Sequence, residues 1–326
     1  MEDQTSANTN NASQIQQKIA SLLRDIHEQP LDTLSIEQYR AAFETIPTLY
    51  TMQSEVTIKT FSIQDLAAEW IIPVAARTQQ AILYFHSGTY INGSLHTDRV
   101  LVSALAAMTR TRILQIDYRL APEHPFPAPI EDGLTAYQWL QEQGYANKNL
   151  AIMGSAAGGG IALAVLLLAR DQKIPLPTMA ACISPWLDLT TTGLRRKSQL
   201  TTDTVLSLDL LEYAASQYVN QAEAAQPLAS PMYADLHGLP ALFLQVGQLE
   251  LLHDDAYKFK ELATTAGVRA RCVTMAGMFH GWHAFADQLP AAQGHLALDQ
   301  IAAYFEKYIA LANGTWPDTT ATYRQP

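Results

Sequence analysis

Apolar and polar positions follow two rhythms along this chain. Short apolar runs at Glu55–Phe61, Ala81–Phe85, Thr111–Asp117, Leu150–Met153, Met179–Ser184, Ala241–Val246 and Ala270–Thr274 predict strands. Helical spacing fills the intervals Thr97–Met108, Ile130–Gln143, Gly159–Asp171, Asp254–Ala266 and Gln293–Leu311. Strands alternating with helices predict an α/β fold, a mainly parallel sheet covered on both faces. Residues 1–12 are polar, and disorder is expected there. Across 13–50 the spacing of Ile15, Ile19, Leu22, Leu23 and Ile26, then Leu34, Tyr39 and Phe43, predicts two amphipathic helices. The interval 189–236 has helical patterns but no strand of the sheet. It reads as an insertion over the C-terminal edge, where open α/β sheets bind ligands. The core is then 51–188 with 237–326.

Composition narrows the picture. Apolar residues make up 48% and charged residues 16%, enough for a large core and too little charge for a disordered chain. A net charge of -10 disfavours nucleic acid and anionic membrane surfaces as partners. Met1–Gln17 lacks the apolar centre of a signal peptide, and Ile161–Ala169 is too short to cross a bilayer. A cytoplasmic, soluble protein is the expectation, with a homodimer left open. Cys182 and Cys272 fall in apolar runs and are expected as buried thiols, with no disulfide framework or metal set.

The most informative stretch is Gly154-Ser155-Ala156-Ala157-Gly158-Gly159. Gly-x-Ser-x-Gly marks a sharp strand-to-helix turn that lifts a nucleophilic serine to the top of a sheet. Here both glycines are present and the nucleophile position is Ala156, whose methyl can neither attack nor be deprotonated. Ser155 does not replace it, because a one-residue shift points a side chain elsewhere. The partners of such a nucleophile are an acid and then a histidine, in that chain order. Glu250 follows the apolar run Leu244–Val246, and His280 follows the run ending at Thr274, thirty residues after Glu250. Asp254 and Asp255 suit the start of the next helix. His280 and His283 have no further ligands at metal spacing, so neither metal nor cofactor is expected. Backbone N–H groups of Ser87, Gly88 and Ala157 are the candidate oxyanion donors.

With these residues placed, Ala81–Phe305 resembles the hormone-sensitive-lipase-like (family IV) α/β-hydrolases, esterases with a helical cap. The carrying motifs are Asp117–Ala128, which contains Tyr-Arg-Leu-Ala-Pro-Glu, then Ser184–Leu189 and Ala229–Pro231. The resemblance implies an α/β-hydrolase fold and a cap made of the N-terminal helices plus the insertion. It places Ala156 at the nucleophile, Glu250 at the acid and His280 at the base. Asp117–Ala128 is expected to support the oxyanion side through prolines and a buried Arg119–carboxylate pair. The chain departs from the family at Ser87 and Thr89, where glycines are usual, at Ser155, where Asp is usual, and at Ala156.

Three readings follow. The first is a carboxylic-ester hydrolase, for small esters or lactones, carrying an engineered Ser-to-Ala change that leaves it near-inactive. The second is a natural non-catalytic ligand-binding protein on the same fold. The third is another reaction, such as water attack activated by His280, lactone hydrolysis or biosynthetic acyl transfer.

Overall fold

The computed structural model describes residues 2–23, 35–50, 55–194 and 203–315. Strands β1 (Val56–Ile63), β2 (Leu66–Pro73), β3 (Arg77–Phe85), β4 (Thr111–Ile116), β5 (Leu150–Ser155), β6 (Met179–Ile183), β7 (Ala241–Gly247) and β8 (Ala270–Met275) form one sheet, ordered β1-β2-β4-β3-β5-β6-β7-β8. Every pairing from β4 to β8 is parallel, whereas β1–β2 and β2–β4 are antiparallel. Every residue of β5, β6 and β7 is buried, as continuous apolar runs require when helices cover both faces. Edge strand β1 instead mixes exposed and half-buried positions.

Strand β2 was not foreseen. It opens Leu-Ala-Ala-Glu, without period-two alternation, and Glu69 within it is a buried charge held by Arg99 at 2.7 Å. The two-residue turn Gln64-Asp65 closes the β1–β2 hairpin, with Gln64 at φ 53°. Positive φ suits the twist of such turns.

The helices are α1 (Glu2–Leu22), α2 (Ile36–Phe43), α3 (Arg99–Thr109), α4 (Ala128–Glu142), α5 (Ala157–Asp171), α6 (Leu208–Tyr218), α7 (His253–Thr265) and α8 (Gly294–Ala312). Helix α4 packs with α5, α3 packs with α8, and α7 lies on β7 and β8. Helix α1 begins at Glu2, within the stretch 1–12 where the composition predicts disorder. Ala12, Ile15, Ile19 and Leu23 are buried and anchor its C-terminal half. Once that half is packed, each further residue adds one hydrogen bond without a new nucleation cost. Ile26 and Leu34 lie outside the described residues.

The strand order positions the site. From β3 the chain crosses to β4 on one side, then jumps to β5 on the other. Such reversals open a crevice at the C-terminal ends of the two central strands. The Ser87 turn leaves β3 there, and the Ala156 turn leaves β5.

Candidate active site

The turn after β5 is held from several directions. Ala156 sits at φ 50°, ψ -118°, between β5 and α5. Non-glycine residues rarely occupy positive φ, and where they do the surroundings must enforce it. The enforcement is visible in the hydrogen bonds. Ala156 donates its N–H to the Ile183 carbonyl at 2.9 Å, and its carbonyl accepts from Trp186 N–H at 3.0 Å and Gly159 N–H at 3.0 Å. Gly158 must lack a side chain, because a Cβ there would collide with the Phe85 and His86 carbonyls. A Cβ on Gly154 would strike the Gly158 carbonyl. These close approaches are the physical reason for both glycines of the motif.

Glu250 and His280 meet as an acid–base pair. Fully buried Glu250 accepts from Gly247 N–H at 2.5 Å and Ser184 Oγ–H at 2.7 Å on Oε1, leaving Oε2 for His280 Nδ1 at 3.1 Å. That bond occupies Nδ1, and His280 lines the cavity. Burial alone would push the His280 pKa down, but the Glu250 hydrogen bond and the charges of Glu250, Asp203 and Asp98 outweigh it. The net direction is upward from 6.5. His283 goes the other way, driven well below its ordinary value by burial and by its neighbour His280. Its Nε2 pairs with Gln245 Oε1 at 3.0 Å.

The turn after β3 departs from the expected donor set. Ser87 N–H is donated to Asp98 Oδ2 at 2.7 Å, so a substrate oxygen would have to displace a carboxylate to reach it. Ala157 N–H points to the Gly88 carbonyl across a long 3.3 Å. Thr89 donates N–H and hydroxyl to Asn92 Oδ1 at 2.7 and 2.8 Å, and its hydroxyl pairs with Tyr39 of α2 at 3.0 Å. Behind this turn the His86 ring stacks on Tyr118, with centroids 4.0 Å apart, and Tyr118 donates its hydroxyl to the His86 carbonyl at 3.0 Å. Burial drives the His86 pKa to about 4, so this ring is neutral. Arg119 pairs with Asp132 as expected, but its side chain is 41% exposed, so the pair is not buried.

Ser87, Gly88, Ala156 and His280 line one cavity, with Asp98 and Asn92 beside them. Its apolar wall comes from Ile19 of α1, Phe43 of α2, and Val205 and Leu206 of the insertion. By contrast Leu23, Leu211, Tyr218 and Met232 are buried in packing and do not line this cavity. Sequence reasoning missed Ser184 and Asp98. Ser184 carried a usable signal, standing at the end of an apolar strand run as the other site residues do. Asp98 reads only as the start of a helix. The two thiols differ as well, with Cys182 buried and Cys272 half-buried, and burial pushes both up to about 12.

A family model for the alpha/beta hydrolase fold matches residues 82–284. The chain is 39% identical to an acetyl-hydrolase of Streptomyces hygroscopicus over 74% of this chain and 80% of that protein. Among solved structures it is similar to an esterase/lipase from an uncultured bacterium, with TM-score 0.82 and 36% identity over 91% of this chain and 99% of that one. An esterase of the bacterial hormone-sensitive lipase family superposes with TM-score 0.83 at 35% identity, covering 90% of this chain and 98% of that one. No helix among the described residues is long and apolar enough to cross a membrane. The chain belongs to the α/β-hydrolase family, as an esterase/lipase-type hydrolase of the hormone-sensitive-lipase-like kind.

Proposed function

We propose that this chain is a carboxylic-ester hydrolase of the Ser-His-Glu type whose single missing part is the nucleophilic oxygen at position 156. One observation carries the reading. A methyl group occupies the enforced positive-φ turn of the elbow, in the same cavity as a histidine whose other face is held by a buried glutamate. With serine at 156, the hydroxyl oxygen attacks the ester carbonyl as His280 Nε2 takes its proton. Glu250 holds the resulting imidazolium. N–H groups of Gly88 and Ala157 receive the oxyanion, the Ala157 N–H exchanging its long bond to the Gly88 carbonyl for the substrate oxygen. Collapse expels the alcohol, which takes the proton back from His280. Water then cleaves the acyl-enzyme with the same base and releases the carboxylic acid. With Ala156 the first step has no nucleophile, and the chain is near-inactive. A single Ser-to-Ala change, introduced by engineering, accounts for this state.

The helices α1 and α2 together with 189–194 and 203–236 act as the cap over the cavity. Short acyl esters are the substrates this reading favours, in line with the acetyl-hydrolase relative.

Hydrolysis of a p-nitrophenyl ester series from acetate to octanoate, by this chain and by Ala156→Ser, tests the proposal. The serine form is expected to turn over the short esters at least ~10³-fold faster than the chain as it stands. An inert serine form that still folds sinks the hydrolase reading and leaves a ligand-binding protein.

A further inference from the structure

Asp98 immediately precedes α3, where an aspartate ordinarily accepts the free N–H groups of its own helix. It makes no such bond. Its carboxylate turns inward instead. Oδ2 accepts Ser87 N–H at 2.7 Å and the Tyr84 hydroxyl at 2.8 Å, while Oδ1 accepts Ser87 Oγ–H at 2.6 Å. The residue is 3% exposed. A carboxylate that deep costs heavily unless donors surround it, and here three do. The N-terminal end of the eleven-residue α3 favours the same negative charge. These bonds tie the end of β3 and the turn after it to the start of α3.

The consequence falls on Gly88. On one side of it, Ser87 is fixed through both N–H and hydroxyl. On the other, Thr89 is fixed through both of its own donors by Asn92. A Cβ on Gly88 would collide with the Asn92 carbonyl, so the turn is also tightly closed. With Ser87 N–H consumed, Gly88 N–H is the donor this turn can present to the cavity. We infer that Asp98 is a positioning residue for ester hydrolysis, locking Ser87 so that Gly88 N–H, together with Ala157 N–H, meets the oxyanion. This rests on the hydrolase reading proposed above. Asp98 also lines the cavity together with His280.

The test has two arms. In the Ala156→Ser form, Asp98→Ala is expected to lower kcat by about 10²-fold with KM changed less than about threefold, because a misaligned oxyanion donor acts in the transition state only. Asp98→Asn, which keeps one acceptor oxygen, is expected to recover at least about tenfold of that loss. A fall in melting temperature with kcat per titrated active site unchanged overturns the inference. The second arm needs no turnover. In the chain as it stands, Asp98→Ala is expected to speed hydrogen exchange of the Ser87 amide by at least ~10-fold, leaving β5 amides unaltered. Unchanged exchange at Ser87 overturns the inference even where Ala156→Ser is active. Faster exchange with an inert serine form refutes the hydrolase reading instead, and with it the catalytic purpose of this contact.

Discussion

The two halves of the site are held in opposite ways. On the acid–base half, buried Glu250 is saturated by Ser184, Gly247 and His280, and His280 has charged groups around it. On the half where the proposed nucleophile would stand, position 156 carries a methyl group and main-chain bonds fix it. The asymmetry follows from what each loss does to the fold. Removing one member of a buried Glu–His pair strands a polar or charged partner, at a cost of several kcal/mol. Removing a hydroxyl from the elbow strands nothing, since every bond holding Ala156 is a main-chain bond. On the proposed hydrolase reading, such a site can lose its nucleophilic oxygen without losing its shape.

That contrast breaks most sharply at His280. In the Ala156→Ser form, His280→Ala is expected to lower the rate of short-ester hydrolysis by roughly 10⁴-fold, because nucleophile and base act as one unit. In the chain as it stands the same substitution is expected to change the rate by less than about threefold, since the unit is already broken. Steady-state assays on the four proteins decide it. An equal loss in both backgrounds means that His280 activates water without a serine, and the two halves are then not coupled.

The sequence made one half of this comparison legible and only part of the other. Glu250 and His280 could be read because each follows an apolar strand run, and the α/β order fixes where such runs end. Ala156 could be read because two glycines frame it. The Ser87 turn was legible as a place but not as a donor set. Which N–H faces the cavity depends on Asp98, eleven positions later and on another element, and nothing in local spacing reports that. Strand β2 was missed for a related reason. Its edge-side pairing with β1 and the burial of Glu69 by Arg99 are tertiary facts, and its opening Leu-Ala-Ala-Glu carries no strand rhythm.

A gentler test sharpens the acid–base half. His280 must be neutral to take a proton, and its pKa lies above 6.5. Hydrolysis by the Ala156→Ser form is therefore expected to rise with pH through a midpoint above that value. Glu250→Gln should bring the midpoint down, because it removes the charge and hydrogen bond that oppose burial. The stability consequence has the opposite sense. A histidine with a raised folded-state pKa contributes stability that is fully present below about 6.5, its unfolded value. That contribution fades as pH rises through the folded value. A pH–rate profile and a thermal melt series on the two proteins measure both, and a Glu250→Gln midpoint equal to or above the parent's contradicts the pairing.

The smallest expected effect probes the other half directly. Serine and alanine meet the same backbone strain at φ 50°. A serine hydroxyl at 156 faces a cavity with His280 Nε2 available, so it is not left without a partner. Ala156→Ser should then alter stability by less than about 1 kcal/mol, or about 2 °C in Tm for a domain of this size. Differential scanning calorimetry of the two chains resolves that range. A larger drop means the added oxygen has no room or no partner, and position 156 is then a packing site in which alanine is required. A negligible change combined with a large gain in turnover separates the two demands on this residue. The fold asks only for a bend at 156, and the oxygen there matters to the chemistry alone.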